Sequence, residues 1–261
     1  MIIPYSPVIT PLCGPLAINV YGTCIALALL LCMKLIPLNK RYSQLNLEPY
    51  FVSIIMVCII SAVIGGRLLA IVSEPTLYHH WYEWFMIWNG GFSALGSILG
   101  VTFGACMYLK KVNLPVLPVF DLMAIYAPLF QSVARLGCLF AGCCYGKQTH
   151  SFLHVMYTNK NAIAPHNIAL HPTQLYSSVL LFLIFLCMYF IIQKRARYSG
   201  QLFLTYFMLA SAERFVVDFW RADRIIMKNY FLSFHQIIAL IILFFSVVIM
   251  FILSKQKKTR S

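Results

Sequence analysis

Long apolar runs separated by short, basic connections set the pattern of this chain. The runs fall at about residues 15–36, 50–72, 92–109, 116–140, 173–193, 201–220 and 232–254, each near the length of ~20 residues that a helix needs to cross a hydrocarbon core. The pattern therefore predicts an all-α, polytopic integral membrane protein with about seven transmembrane helices. Composition points the same way: 61% of the 261 residues are hydrophobic, 10% are charged, and the mean hydropathy is +0.81. So apolar a chain has no water-soluble fold open to it, and a single transmembrane domain over residues 1–261 is expected. The opening, MIIPYSPVITPLCGP, has no basic n-region and carries prolines where a signal peptide has its apolar core, so it reads as an uncleaved outer segment.

Charge adds an orientation. Lys40 and Arg41, Lys110 and Lys111, the group Lys194, Arg195 and Arg197, and the tail Lys255, Lys257, Lys258 and Arg260 all belong to one side of the predicted bundle. Glu74, Glu83, Lys147, Lys160 and the mixed cluster Arg221, Asp223, Arg224 and Lys228 belong to the other. The positive-inside rule makes the first side cytoplasmic, with the N-terminus outside and the C-terminus in the cytoplasm. The net charge of +13 is thus topogenic. A nucleic-acid binder would cluster its basic residues on a folded polar surface, and no nucleic-acid partner is expected. LYHHWYEWFMIW at 77–88 reads as an outer aromatic belt, and Gly96, Gly100 and Gly104 as a close helix contact.

Candidate chemistry lies where charge interrupts the apolar runs: Arg67, Asp121, Arg135, Glu213, Arg214 and Asp218. An arginine at the bilayer centre costs about 2.5–3.5 kcal/mol on insertion scales, so these groups are expected to face a shared polar cavity. Arg214, Asp218 and Arg221 follow an i, i+4, i+7 spacing and are expected on one helical face. A guanidinium fork matches a pair of phosphate oxygens, and the small anion at that depth is a phospholipid headgroup.

Two further segments stand out. In ARLGCLFAGCCYGK at 134–147, Gly137, Gly142 and Gly146 permit the chain to leave helical geometry beside Arg135 and to gather Cys138, Cys143 and Cys144. A disulfide, a soft-metal site with His150, His154 or His171, direct catalytic use and inert packing all remain open for these thiols. In LHPTQLYS at 170–177, His171, Gln174 and Tyr176 form a polar collar ahead of the fifth helix, with His171 a candidate acid or base.

These pieces, in order, resemble the bacterial prolipoprotein diacylglyceryl transferase family. The resemblance rests on Tyr21 and Gly22, GGRL at 65–68, WNGGFS at 88–93, Asp121 with Pro128, the run around Arg135 and Gly137, HPTQLY at 171–176 and ERFVVDFWR at 213–221. It implies transfer of a diacylglyceryl group from phosphatidylglycerol to the thiol of a lipoprotein precursor, in the bacterial cytoplasmic (inner) membrane, with no metal and no soluble cofactor. It assigns Arg135 and Arg214 to the family's essential arginines, Asp218 to the place of a conserved glutamate, and Tyr21 and Arg67 to polar positions lining the cavity. Three departures accompany it: Leu95 where the family carries a histidine, Cys138 for an asparagine, and Cys143 for a glutamate. His171, Asp218 or a cysteine thiolate is then the candidate for the displaced base. The catalytic set expected is Arg135, Arg214, Asp218, His171, Cys143 and Cys144. Tyr21, Arg67, Gly137, Cys138, Gln174, Tyr176 and Arg221 are expected to bind substrate. The alternative is thiol-redox or soft-metal chemistry at the cysteine cluster.

Overall fold

The computed structural model describes residues 1–4, 6–11, 17–75, 80–86, 91–226 and 231–258. Parts of the 77–88 belt and of WNGGFS, the start of the first predicted helix, Lys228 and Arg260 lie outside the described residues.

Seven helices longer than one or two turns are described: α1 (Val20–Leu35), α2 (Phe51–Ser73), α3 (Ala94–Lys111), α4 (Val116–Ala141), α5 (Thr173–Cys187), α6 (Gln201–Val217) and α7 (Phe234–Lys258). Five segments are long and apolar enough to cross a membrane: Val20–Leu38, Glu48–Ser73, Val116–Ala141, Thr173–Arg195 and Phe234–Lys255. On α7, Phe244, Phe245 and Phe251 are each more than half exposed, which is stable only against lipid. The protein is accordingly a multi-pass, mainly helical membrane protein.

The expected boundaries need two corrections. Helix α1 begins at Val20, because Ala17–Asn19 (β3) instead pairs antiparallel with Val8–Pro11 (β2). Helix α6 ends at Val217; a 3-10 turn over Asp218–Trp220 follows, and Arg221 is extended with ψ 145°. Arg214 and Asp218 keep their i, i+4 relation, but Arg221 leaves the helical face it was expected to share.

The described residues fall into two compact units. In the first, Met1–Pro11, Ala17–Leu38 and Phe120–Ser261, a cap forms over the C-terminal end of α4. Its β1 (Ile2–Ile3) runs parallel to β4 (Met156–Tyr157). Ile3, Leu139, Val155, Tyr157, Ala164 and Leu170 make its core, and the Tyr157 hydroxyl donates to the Leu139 carbonyl at 2.8 Å. At the far end of this unit, Asp121 accepts from the backbone N–H groups of Gly200 (2.7 Å) and Phe203 (2.9 Å). Asp121 thus caps the start of α6, where a carboxylate both satisfies orphan donors and meets the positive end of the helix dipole. That is a structural role, at variance with its expected place in the polar cavity.

The second unit, which contains Asn39–Val119, is built on α2 against α3. Gly65, Gly96 and Gly100 let the two backbones touch: a Cβ on Gly100 would lie 2.2 Å from the Ser61 carbonyl oxygen. Arg67 is buried here, and its guanidinium donates to the carbonyls of Glu83, Trp84, Met86 and Gly91 at 2.5–3.3 Å. It holds the chain that follows α2.

Candidate active site

The site is organised by how α4 ends. Gly142 takes φ +73°, its N–H bonds the Leu139 carbonyl, and the Cys143 N–H bonds the Cys138 carbonyl. This is a Schellman closure, which needs a residue tolerant of left-handed backbone at that position. The turn brings Cys143 back over Cys138, with its Sγ 3.8 Å from the Cys138 carbonyl oxygen. Cys144 also takes a left-handed φ of +58°, a conformation that costs a side-chain-bearing residue roughly 1–2 kcal/mol.

The first turn of α5 holds that conformation in place. Thr173 Oγ1 donates to the Cys144 carbonyl at 2.8 Å, and Gln174 Nε2 donates to the Cys143 carbonyl at 2.7 Å. Backbone bonds then tie the loop to two neighbours: Gly146 N–H to His171 O, His171 N–H to Lys147 O, Lys147 N–H to Trp220 O and Ala222 N–H to Tyr145 O. As a result the sulfurs of Cys138, Cys143 and Cys144 lie within 4.8 Å of one another, and no histidine belongs to the group. Two of the three histidines that one of the open alternatives would have added are engaged elsewhere. His154 Nδ1 meets the Ser151 carbonyl, and His171 Nδ1 meets the Tyr176 hydroxyl at 3.3 Å.

Charge gathers beside these thiols. Arg135 lies three residues before Cys138 on α4, hence on the same face. It makes no hydrogen bond or ion pair among the described residues, yet it interacts electrostatically with Cys138, Cys144, Arg214 and Glu213. Arg214 reaches Asp218 at 3.5 Å and keeps about a quarter of its side chain exposed, at 23%. Arg221 is bidentate to Asp223, with Nε at 2.7 Å from Oδ1. Fully buried Asp218 also accepts from Ser233 Oγ and lies 3.3 Å from Arg224 Nε. The two arginine contacts to Asp218 are ion pairs without hydrogen-bond alignment, since neither Asp218 Oδ1 nor Arg224 Nε finds a hydrogen-bond partner. Glu213 is buried and accepts from Ser177 Oγ at 2.5 Å. Four guanidinium groups thus gather with three carboxylates beside the thiols.

Hydrogen bonds from Cys138 and Cys143 hold the Cys144 thiol far below the ordinary range, with Arg221 and Arg135 reinforcing them against burial. The same hydrogen bonds, together with burial, push Cys143 up. Burial opposes charge on Arg221, but Asp223 and the Cys144 sulfur outweigh it and raise its pKa. Burial would also raise Asp223, yet its hydrogen bond with Arg221 wins and holds the carboxyl below its usual range.

The expected site residues therefore separate into groups. Arg135, Cys138, Cys143, Cys144, Arg214, Asp218 and Arg221 come together in one unit. Tyr21 joins them electrostatically because Gly137 admits α1, a Cβ there lying 3.1 Å from the Tyr21 Cα. Gln174 faces the thiol loop rather than the outer collar and is 1% exposed. His171 and Tyr176 form an aromatic chain with Trp220. Arg67, in the other unit, is bound to backbone carbonyls. Glu213 was visible in the sequence as a charge in an apolar run, but its partner Ser177 lies 36 residues earlier. Asp223 and Arg224 read as outer-loop charges and prove to hold Arg221 and Asp218.

Comparison with known proteins places the chain in a family. The sequence model of the prolipoprotein diacylglyceryl transferase family matches residues 7–252. A phosphatidylglycerol–prolipoprotein diacylglyceryl transferase of Clostridium tetani is 37% identical over 84% of this chain and 86% of its own length. A Clostridium perfringens transferase of that name is 31% identical over 80% of each chain, and one from Dehalococcoides mccartyi is 27% identical over 95% of this chain and 93% of its own. The chain belongs to the prolipoprotein diacylglyceryl transferase family.

Proposed function

We propose that this protein transfers the diacylglyceryl group of phosphatidylglycerol to the cysteine thiol of a lipoprotein precursor, in the bacterial cytoplasmic membrane. One observation carries the reading: Arg135 makes no hydrogen bond or ion pair among the described residues and is set among Arg214, Arg221 and Glu213. A positive group left unpaired in so apolar a chain calls for an anionic ligand, and a lipid phosphate fits its fork.

Arg135 and Arg214 then hold the phosphate while the acceptor sulfur attacks the glyceryl carbon. The C–O bond breaks, glycerol phosphate departs, and the arginines stabilise the charge that grows on the leaving oxygen. Asp218 positions Arg214, and Asp223 positions Arg221. Tyr21, Gln174 and Tyr176 line the site, and His171, against Gly146 of the cysteine loop, takes part in proton transfer at its rim. Arg67 supports substrate binding indirectly, through the segment it holds. We read α3 and α6 as the two further spans, making seven in one transferase domain over 1–261, N-terminus outside and C-terminus cytoplasmic.

The test is incubation of the purified protein with labelled phosphatidylglycerol and a peptide carrying a lipoprotein cysteine. A thioether-linked product is expected. Its absence, under conditions where the Clostridium tetani relative forms it, overturns the reading.

A further inference from the structure

We propose that Cys138, Cys143 and Cys144 bind one thiophilic d10 metal ion of the zinc class, whose open fourth position takes the acceptor thiol. The acceptor role rests on the transferase reading; the metal site stands apart from it.

Geometry carries the site. An ion with metal–sulfur bonds of about 2.3 Å on three sulfurs needs sulfur–sulfur separations of about 3.8–4.0 Å, and the three here already lie within 4.8 Å. A closure of less than about 1 Å per pair completes the donor set. The convergence is built by the fold. It requires the Schellman end of α4, the left-handed backbone of Cys144 and two α5 side chains on consecutive carbonyls. A disulfide uses two sulfurs, and bridging neighbours in sequence strains the link; nothing in that chemistry calls for the third. Three thiolates on a dication leave excess negative charge, and Arg135 and Arg221 stand beside the sulfurs to offset it. Gln174 supplies an independent sign. Its Nε2 holds the Cys143 carbonyl, while its Oε1 is buried with no donor among the described residues, an acceptor placed to take a hydrogen bond from a metal-bound water. Cys143 and Cys144 remain partly exposed, so the fourth position is reachable.

The site also supplies what Leu95 removes. A thiol that coordinates such an ion is deprotonated outright. The acceptor cysteine releases its proton to water on binding, then forms the S–C bond at the glyceryl carbon. The electron pair of the broken C–O bond leaves with glycerol phosphate, so charge and atoms balance with no oxidant or separate base.

The experiment titrates the reduced, detergent-solubilised full chain with Co2+ and follows thiolate-to-metal charge-transfer absorption. One ion per chain is expected, protecting three thiols from alkylation. Cys138→Ser and Cys143→Ser are each expected to weaken binding by more than the roughly 10–100-fold of an outer-shell change, while Cys106→Ser leaves it unchanged. Lipoprotein peptide should shift the Co2+ spectrum, and the same peptide with serine for cysteine should not. Absence of the band, a band indifferent to Cys138→Ser and Cys143→Ser, or a spectrum unmoved by the cysteine peptide overturns the proposal. Alkylation counting in the native wild-type protein keeps the test valid if a variant misfolds. Thioether product from metal-free protein sinks the acceptor role given to the ion and leaves the transferase reading standing. A peptide-dependent shift without product does the reverse.

Discussion

Two arginines in apolar runs, Arg135 and Arg67, look alike in sequence and behave oppositely in the fold. Among the described residues Arg135 makes no hydrogen bond or ion pair, so Arg135→Gln removes no bond of the described fold. It is expected to lower product formation by about 10²–10³-fold, the scale for losing one transition-state donor, while the thermal unfolding midpoint stays within error of wild type. Arg67 donates to four carbonyls. Arg67→Met strands those acceptors and is expected to destabilise the protein by about 3 kcal/mol, the order set by losing charged hydrogen bonds, seen as a lower midpoint and faster proteolysis after Ser73. Asp223 offers a pH test. Its folded-state pKa is depressed by Arg221, so its stabilisation is present above the unfolded carboxyl value of about 3.9 and is lost as pH falls through the folded one. Asp223→Asn should therefore melt below wild type at neutral pH, with the gap closing under acid. The carboxylate is half exposed, so the gap is small. Neither arginine's role could be read locally, because the partners of Arg67 lie 16–24 residues away and the isolation of Arg135 is a property of its whole surroundings.

Helices were the most legible elements, since apolar run length dictates them directly. The predicted 116–140 and 50–72 meet Val116–Ala141 and Phe51–Ser73. Their contacts were half legible. The spacing of Gly96, Gly100 and Gly104 announced a close approach, but its partners Gly65 and Ser61 emerge only when α2 packs on α3. Gly100→Ala places a methyl 2.2 Å from a backbone carbonyl, which must push the helices apart. A loss of about 1–3 kcal/mol is expected by thermal unfolding, the range for overpacking. Gly22→Ala is the control: a Cβ there meets nothing within 4 Å, and helix propensity favours it slightly. The end of α6 was less legible. The i, i+7 spacing of Arg214 and Arg221 continued the helix past Val217, whereas the bonds from Lys147 N–H to the Trp220 carbonyl and from Ala222 N–H to the Tyr145 carbonyl draw the chain out straight.

For the molecule as a whole, hydropathy decides the solvent, and charge asymmetry predicts the orientation. Helices α3 and α6, of 18 and 17 residues, rise only about 26–27 Å, a little short of the ~30 Å core. If both span, a reporter active only outside the cytoplasm is silent when fused after Ser261 and active when inserted at the exposed Phe152; an active C-terminal fusion would reverse the orientation. What the sequence determined by itself is what depends on neighbours along the chain: apolar length, helix periodicity, basic flanks and the glycines of a turn. Tertiary structure alone decided how the charges of separate helices are paired, that Asp121 caps a helix and that Gln174 turns to the thiol loop. Those outcomes depend on distances between segments far apart in sequence, and only packing sets such distances.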